Sequence, residues 1–137
     1  PDPDVRRGRS VVYNLHAHLV FTTRYRRGAL TGPILTRCEQ IMAGVCRDFG
    51  AELREFNGET DHVHLLVHYP PAVALSKLVN SLKGVSSRYL RQEHGVHLRR
   101  YLWSGHLWSP SYFAGSCGGA PLAVVKEYIE NQRRPAG

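Results

Sequence analysis

Cysteine is scarce in this chain of 137 residues: there are three, Cys38, Cys46 and Cys117, with no C-x-x-C spacing among them. An odd and widely spaced set excludes a disulfide framework and a zinc knuckle, and suits a reducing compartment. No apolar run approaches the ~20 residues of a membrane span. The basic opening from Pro1 to Ser10 is not followed by the uninterrupted apolar stretch of a secretory signal. A soluble, cytoplasmic protein with no membrane partner is therefore expected. The chain opens on Pro1 rather than Met, so a translation start further upstream is also expected. Acidic side chains are few as well: 11 Asp and Glu against 18 Lys and Arg leave a formal charge of +7 with all eight His neutral. That imbalance points to a polyanionic partner, with nucleic acid the first candidate.

The length and a 42% hydrophobic content suit one domain with a real core and are too small for two. Residues 1–10, with Arg6, Arg7 and Arg9 among Pro, Asp and Gly, read as a flexible basic arm, and residues 11–134 as the single folded domain. From Val11 to Phe21 alternate residues are apolar while Asn14, His16, His18 and Thr22 interleave, the pattern of a strand with one buried face. An amphipathic helix follows through Ile34, Cys38, Ile41, Met42, Val45, Cys46 and Phe49 and ends at Gly50, which places Cys38 and Cys46 in the core. Strands are expected at 51–57 and 62–69, a second helix from Leu75 fading into Gly95, and a fourth strand near the end of the aromatic stretch 101–113. A last helix should run from Pro121 to about Arg133. The order β, α, β, β, α, β plus a helix is that of the ferredoxin-like (split βαβ) α+β fold, a four-stranded antiparallel sheet with helices on one face. The first and third strands would be central neighbours, clustering His16, His18, His62, His64 and His68 on the other face.

Two short patterns carry chemistry. His62-Val63-His64 places two imidazoles on one side of a strand with Val63 in the core, a geometry able to hold a metal ion. Spacing alone is a weak signal, since His16-Ala17-His18 repeats it and two solvent-facing His can simply decorate a strand. On the last helix Tyr128 and Gln132 lie four residues apart on one face, so a phenol and an amide can be presented together. By itself that pair equally fits an ordinary packed Tyr and a solvated Gln.

The segments Asp61-His62-Val63-His64-Leu65-Leu66, Ser76 to Gly84 (SKLVNSLKG), Leu107 to Phe113 (LWSPSYF) and Lys126 to Gln132 (KEYIENQ) stand in an order that closely resembles the single-tyrosine transposases of single-strand insertion sequences. These belong to the HUH group. The likeness runs from about Tyr13 to Gln132. It implies a dimeric ferredoxin-like enzyme, bacterial or archaeal and nucleoid-associated, that binds subterminal hairpins and cuts and rejoins single-stranded DNA. By position it implies His62 and His64 as the metal-binding pair, Tyr128 as nucleophile and Gln132 as third metal ligand. Active sites would be shared between protomers. Thr60 departs from the Pro common before the family's Asp, and His68 is an additional polar residue at the strand end.

Two imidazoles and one amide oxygen leave positions on an octahedral divalent ion, Mg²⁺ or Mn²⁺, for water and phosphate oxygens. Attack by Tyr128 would leave a 5′-phosphotyrosine link and a free 3′-OH, conserving the bond energy for rejoining. For DNA contact, Arg24, Arg26 and Arg27 with Tyr25, and Lys83, Arg88 and Arg91 on the second helix, combine phosphate-binding charge with aromatic surface. The alternatives are a catalytically silent ferredoxin-like nucleic-acid-binding module, which leaves the His62, His64, Tyr128 and Gln132 set unexplained, and a small-molecule metalloenzyme, which leaves the +7 charge unexplained.

Overall fold

The computed structural model describes residues 6–7, 12–102, 105–116 and 122–132. In chain order the elements are β1 (Arg6–Arg7), β2 (Val12–Tyr13), β3 (His16–Thr22), a one-turn 3-10 helix (Arg24–Arg26), α1 (Gly32–Asp48), β4 (Glu52–Glu59), β5 (His62–His68), α2 (Leu75–Glu93), α3 (Gly95–Arg99), β6 (Phe113–Ser116) and α4 (Leu122–Asn131). Four of the strands form one antiparallel sheet in the order β4-β5-β3-β6. This is the expected ferredoxin-like arrangement, with β3 and β5 at the centre.

Period-two alternation on the central pair creates the core. Ala17, Leu19 and Phe21 of β3 pair with Val67, Leu65 and Val63 of β5 and are buried with them. Into that face pack Ile34, Cys38, Met42 and Cys46 of α1 and Leu78, Val79, Leu82 and Leu90 of α2. The α1 stripe forms where the sequence directs it: Thr31 caps the first turn by accepting from the Ile34 amide, and Gly50 ends the helix at φ +71°. Burial pushes the Cys38 and Cys46 thiols up to about 12, so both are packing groups rather than reactive ones.

The sequence reading needs correction at several places. The expected strand 11–22 is two elements, because β2 pairs with β1 whereas β3 pairs with β5 and β6. Apolar alternation reports which way side chains face, not which strand accepts the hydrogen bonds. Arg6 and Arg7, assigned to a flexible arm, are paired strand; residues 1–5 and 8–11 lie outside the described residues. The short helix α3 was not anticipated. The fourth strand begins only at Phe113, while Trp108 makes an isolated bridge to Thr23. Val20 and Thr22, on the side expected to be open, are buried, and α4 contacts β3 on that side. Gly118 and Gly119, which precede α4, lie outside the described residues, as do Trp103 and Cys117.

Trp108 is held by its indole N–H, which donates to the fully buried Ser86 hydroxyl at 2.9 Å. Ser86→Ala should strand that donor and lower stability by about 1–3 kcal/mol. Urea unfolding of parent and variant should show a reduced midpoint at unchanged slope.

Candidate active site

Strand register assembles the imidazoles. His16, His18, Val20 and Thr22 on β3 lie opposite His68, Leu66, His64 and His62 on β5, so all five expected His share the face turned away from the core. They form two contacts along it. His16 and His68, both buried, stack with ring centroids 4.2 Å apart, and His18 Nδ1 lies 3.0 Å from His64 Nε2. Burial, reinforced by neighbouring His18, lowers the His64 pKa, so its imidazole is neutral near pH 7.

His62 is oriented by its sequence neighbour. Its Nδ1 donates to Asp61 Oδ1 at 2.9 Å, leaving Nε2 free as a donor of electrons, the arrangement that fixes a ligating imidazole. The other Asp61 oxygen receives Arg26, with Nε at 3.2 Å and Nη2 at 3.1 Å. Burial alone would raise the Asp61 pKa, but the bonds and charges of His62 and Arg26 outweigh it and hold the carboxyl below its ordinary range. Thr60, before this Asp, receives the Leu30 amide on its main-chain carbonyl, a contact that a proline there could also make.

Helix α4 brings the remaining groups over the same sheet. The Tyr128 ring packs 5.6 Å from that of Phe113, and its hydroxyl lies 3.3 Å from Ser111 Oγ. Gln132 Oε1 accepts from Ser111 Oγ at 3.2 Å and, at the limit of a hydrogen bond, from Thr22 Oγ1 at 3.5 Å. Since Thr22 is the register partner of His62, the amide lies on the sheet face that carries His62. Burial raises the Tyr128 pKa, against a lowering contribution from Ser111, so the phenol stays protonated at neutral pH.

Lys83, expected on DNA, is turned inward. Its ammonium donates to the Ser109 carbonyl at 2.7 Å and the Ser111 carbonyl at 3.4 Å, and lies 5.9 and 5.7 Å from the Phe21 and Tyr112 rings. It holds the loop that presents Ser111, and burial lowers its pKa. Arg26 is likewise committed to Asp61. Arg24 and Arg27 flank the Tyr25 ring, while Arg88, exposed on α2, lies over Tyr89. A cleft of about 280 Å³ opens between residues 22–26, Ser109, Pro110 and Gln132. Sequence reading singled out neither Ser111 nor Thr22. Both are small hydroxyl residues whose positions become meaningful only when α4 is docked.

Among the described residues, no three His, Cys, Asp or Glu side chains gather as a metal-holding group. A divalent ion at His62 and His64 therefore needs the Gln132 oxygen as its third protein donor. The free Nε2 of His62 and the acceptor-only Oε1 of Gln132 fit that use, whereas His64 Nε2 would have to exchange its contact with His18.

A four-stranded antiparallel sheet with an His-x-His strand and a following tyrosine helix is the arrangement expected of the single-tyrosine transposases. A family model described as "Transposase IS200 like" matches residues 11–132, and the chain belongs to that family. It is 33% identical over 129 residues to the ISDra2 transposase TnpA of Deinococcus radiodurans, covering 94% of this chain and 91% of that one. It is 28% identical to the transposase for insertion sequence element IS200 of Salmonella typhimurium, over 88% of this chain and 78% of the relative. A solved Deinococcus radiodurans R1 structure, a candidate transposase, superposes with a TM-score of 0.87 at 32% identity, covering 95% of this chain and 99% of the other. A REP-associated tyrosine transposase solved bound to a REP hairpin shares the fold, with a TM-score of 0.55 at 16% identity over 93% of this chain and 67% of that one. The protein is thus a transposase of the insertion-sequence type. No helix among the described residues is long and apolar enough to cross a membrane.

Ser111 has one hydroxyl proton, and when it is turned from Gln132 to Tyr128 it favours the ionised phenol. Ser111→Ala should move the phenol titration further upward, read from the ¹³Cζ shift of labelled tyrosine, with stability changed by no more than about 0.5 kcal/mol because Ser111 is exposed. An unmoved or lowered titration would show that the hydroxyl does not stabilise the phenolate.

Proposed function

We propose that the protein cuts and rejoins single-stranded DNA at insertion-sequence ends through a covalent Tyr128 link, after binding subterminal hairpins. The observation that carries this reading is the gathering of Tyr128 and Gln132, through Ser111 and Thr22, over the strand pair that bears His62 and His64. Residues 11–134 act as the one catalytic domain. Tyr128 Oη attacks the scissile phosphorus as the bond from phosphorus to the 3′ oxygen breaks, which leaves a 5′-phosphotyrosine and a free 3′-OH. Attack by the 3′-OH of another strand reverses the step with no external energy source.

His62, His64 and Gln132 would hold Mg²⁺ or Mn²⁺, which when bound supplies Lewis-acid polarisation of the phosphate. Asp61 fixes the tautomer of His62, and Arg26 neutralises Asp61. Arg24, Arg27 and Arg88 are the basic groups best placed for DNA phosphates. Arg26 and Lys83 act by positioning the site, since their charges already meet Asp61 and the 109–111 loop.

Active sites shared within a homodimer form part of this reading. In favour of exchange, Tyr128 and Gln132 meet the sheet and its loop through Ser111, Thr22 and the Phe113 ring, contacts that a second copy could equally provide. The within-chain alternative draws on Gln132 reaching Thr22 of its own β3.

Tyr128→Phe should retain hairpin binding and lose cleavage, and His64→Ala should also lose cleavage. Mixing the two variants under exchange conditions should restore activity, because one of the two heterodimer sites would then be intact. Restored cleavage of a labelled hairpin oligonucleotide supports shared sites. Silence from proven heterodimers supports sites built within one chain, and a covalent adduct formed by Tyr128→Phe would remove Tyr128 as the nucleophile.

A further inference from the structure

The turn after β3 is built at a conformational cost that its own packing does not offset. Tyr25 (φ 58°, ψ 20°) and Arg26 (φ 53°) are consecutive non-glycine residues in the left-handed region, which L side chains rarely adopt. The frame around them is fixed several times over. The buried Thr23 receives the Arg26 amide on its carbonyl at 2.8 Å, donates its hydroxyl to the Arg27 carbonyl at 2.6 Å, and donates its amide to the Asp61 carbonyl at 2.9 Å. The Arg24 amide reaches the Leu107 carbonyl at 2.9 Å, and the Arg26 guanidinium is clamped on Asp61. What this frame presents is an aromatic ring to solvent: Tyr25 is 48% exposed and fills no part of the core. Strain that persists in an over-determined frame without burying anything marks a functional segment.

The surroundings of the ring indicate its ligand. The guanidinium carbons of Arg24 and Arg27 lie over the ring, 5.3 and 5.9 Å from its centroid, so a base that stacks there displaces or joins a cation and brings its phosphates to both arginines. The same turn forms one wall of the 280 Å³ cleft whose other walls include Gln132. A planar base matches the ring and phosphates on either side of it match the two arginines, whereas a paired duplex offers no free base face. Building on the single-strand reading above, we propose that Tyr25 is a stacking platform for an unpaired base of the DNA strand, with Arg24 and Arg27 on the flanking phosphates. Stacking there fixes the strand so that a neighbouring phosphate enters the cleft beside Gln132. Arg26, though within the same basic run, faces inward and takes no part in the contact.

The test uses the full chain, a hairpin oligonucleotide with a single-stranded flank carrying 2-aminopurine, and the same hairpin without the flank. Tyr25→Asn removes the ring but suits a left-handed backbone, and Tyr25→Phe keeps the ring. The Asn variant should bind the flanked hairpin about 10–100-fold more weakly. It should also lose the fluorescence quench of the flank, bind the flankless hairpin as the parent does, and melt at or above the parent temperature. The Phe variant should stay within about twofold of the parent. Parent-like binding and quenching by Tyr25→Asn would overturn the platform. So would equal weakening for both oligonucleotides with a lowered melting temperature, which is the signature of a merely structural residue. If the parent bound neither oligonucleotide, the single-strand reading itself would fall and the platform with it; if the parent bound and cut while Tyr25→Asn matched it, the platform alone would fall.

Discussion

The pairing of β3 with β5 is the constraint on which the rest of the molecule depends. Seven consecutive residue pairs, His16 with His68 through Thr22 with His62, set one register, and a slip of one residue would exchange the faces of every side chain on the strand. In the observed register Leu19 and Phe21 meet Leu65 and Val63 beneath α1 and α2, while His18, Thr22, His62 and His64 are delivered together to the opposite side. Core and site are therefore two faces of one ladder. The apolar face excludes alternative registers, and the polar face inherits the precision.

A second organising element is the Asp61 carboxylate at the β4–β5 turn. It is nearly buried, and it keeps its charge because one oxygen accepts from His62 and the other from Arg26. Its main-chain carbonyl takes the amide of Thr23. One residue thus orients a candidate ligand, neutralises a buried charge and ties down the turn that displays Tyr25. A buried carboxylate that lost either partner would have to be solvated or protonated, so these contacts stand or fall together.

Lys83 has the equivalent duty on the other side of the cleft. Two carbonyls and two aromatic rings surround its ammonium, and the loop it grips places Ser111 between Tyr128 and Gln132. Charge in this protein therefore serves two ends. Arg26 and Lys83 build the site, whereas Arg24 and Arg27 lie against the Tyr25 ring and Arg88 is exposed on α2. The lysine's lowered pKa and the arginine's ion pair separate the two groups, which their positions in the sequence do not.

The sequence by itself determined the fold class, the helices α1 and α2, the core positions of Cys38 and Cys46, and the shared face of the histidines. All of these follow from periodicity, because side-chain direction in a strand or helix is a local geometric property. Its family likeness also pointed to His62, His64, Tyr128 and Gln132. Tertiary structure decided what local rules do not encode: that the segment from Val12 to Thr22 changes hydrogen-bonding partner near Asn14, that Gln132 reaches Thr22, and that Ser111 lies against the tyrosine hydroxyl. It also decided which basic residues face inward. The direction of a long side chain such as Arg26 or Lys83 is set by which carboxylate or carbonyl arrives from a distant segment, and that partner exists only once the sheet has closed.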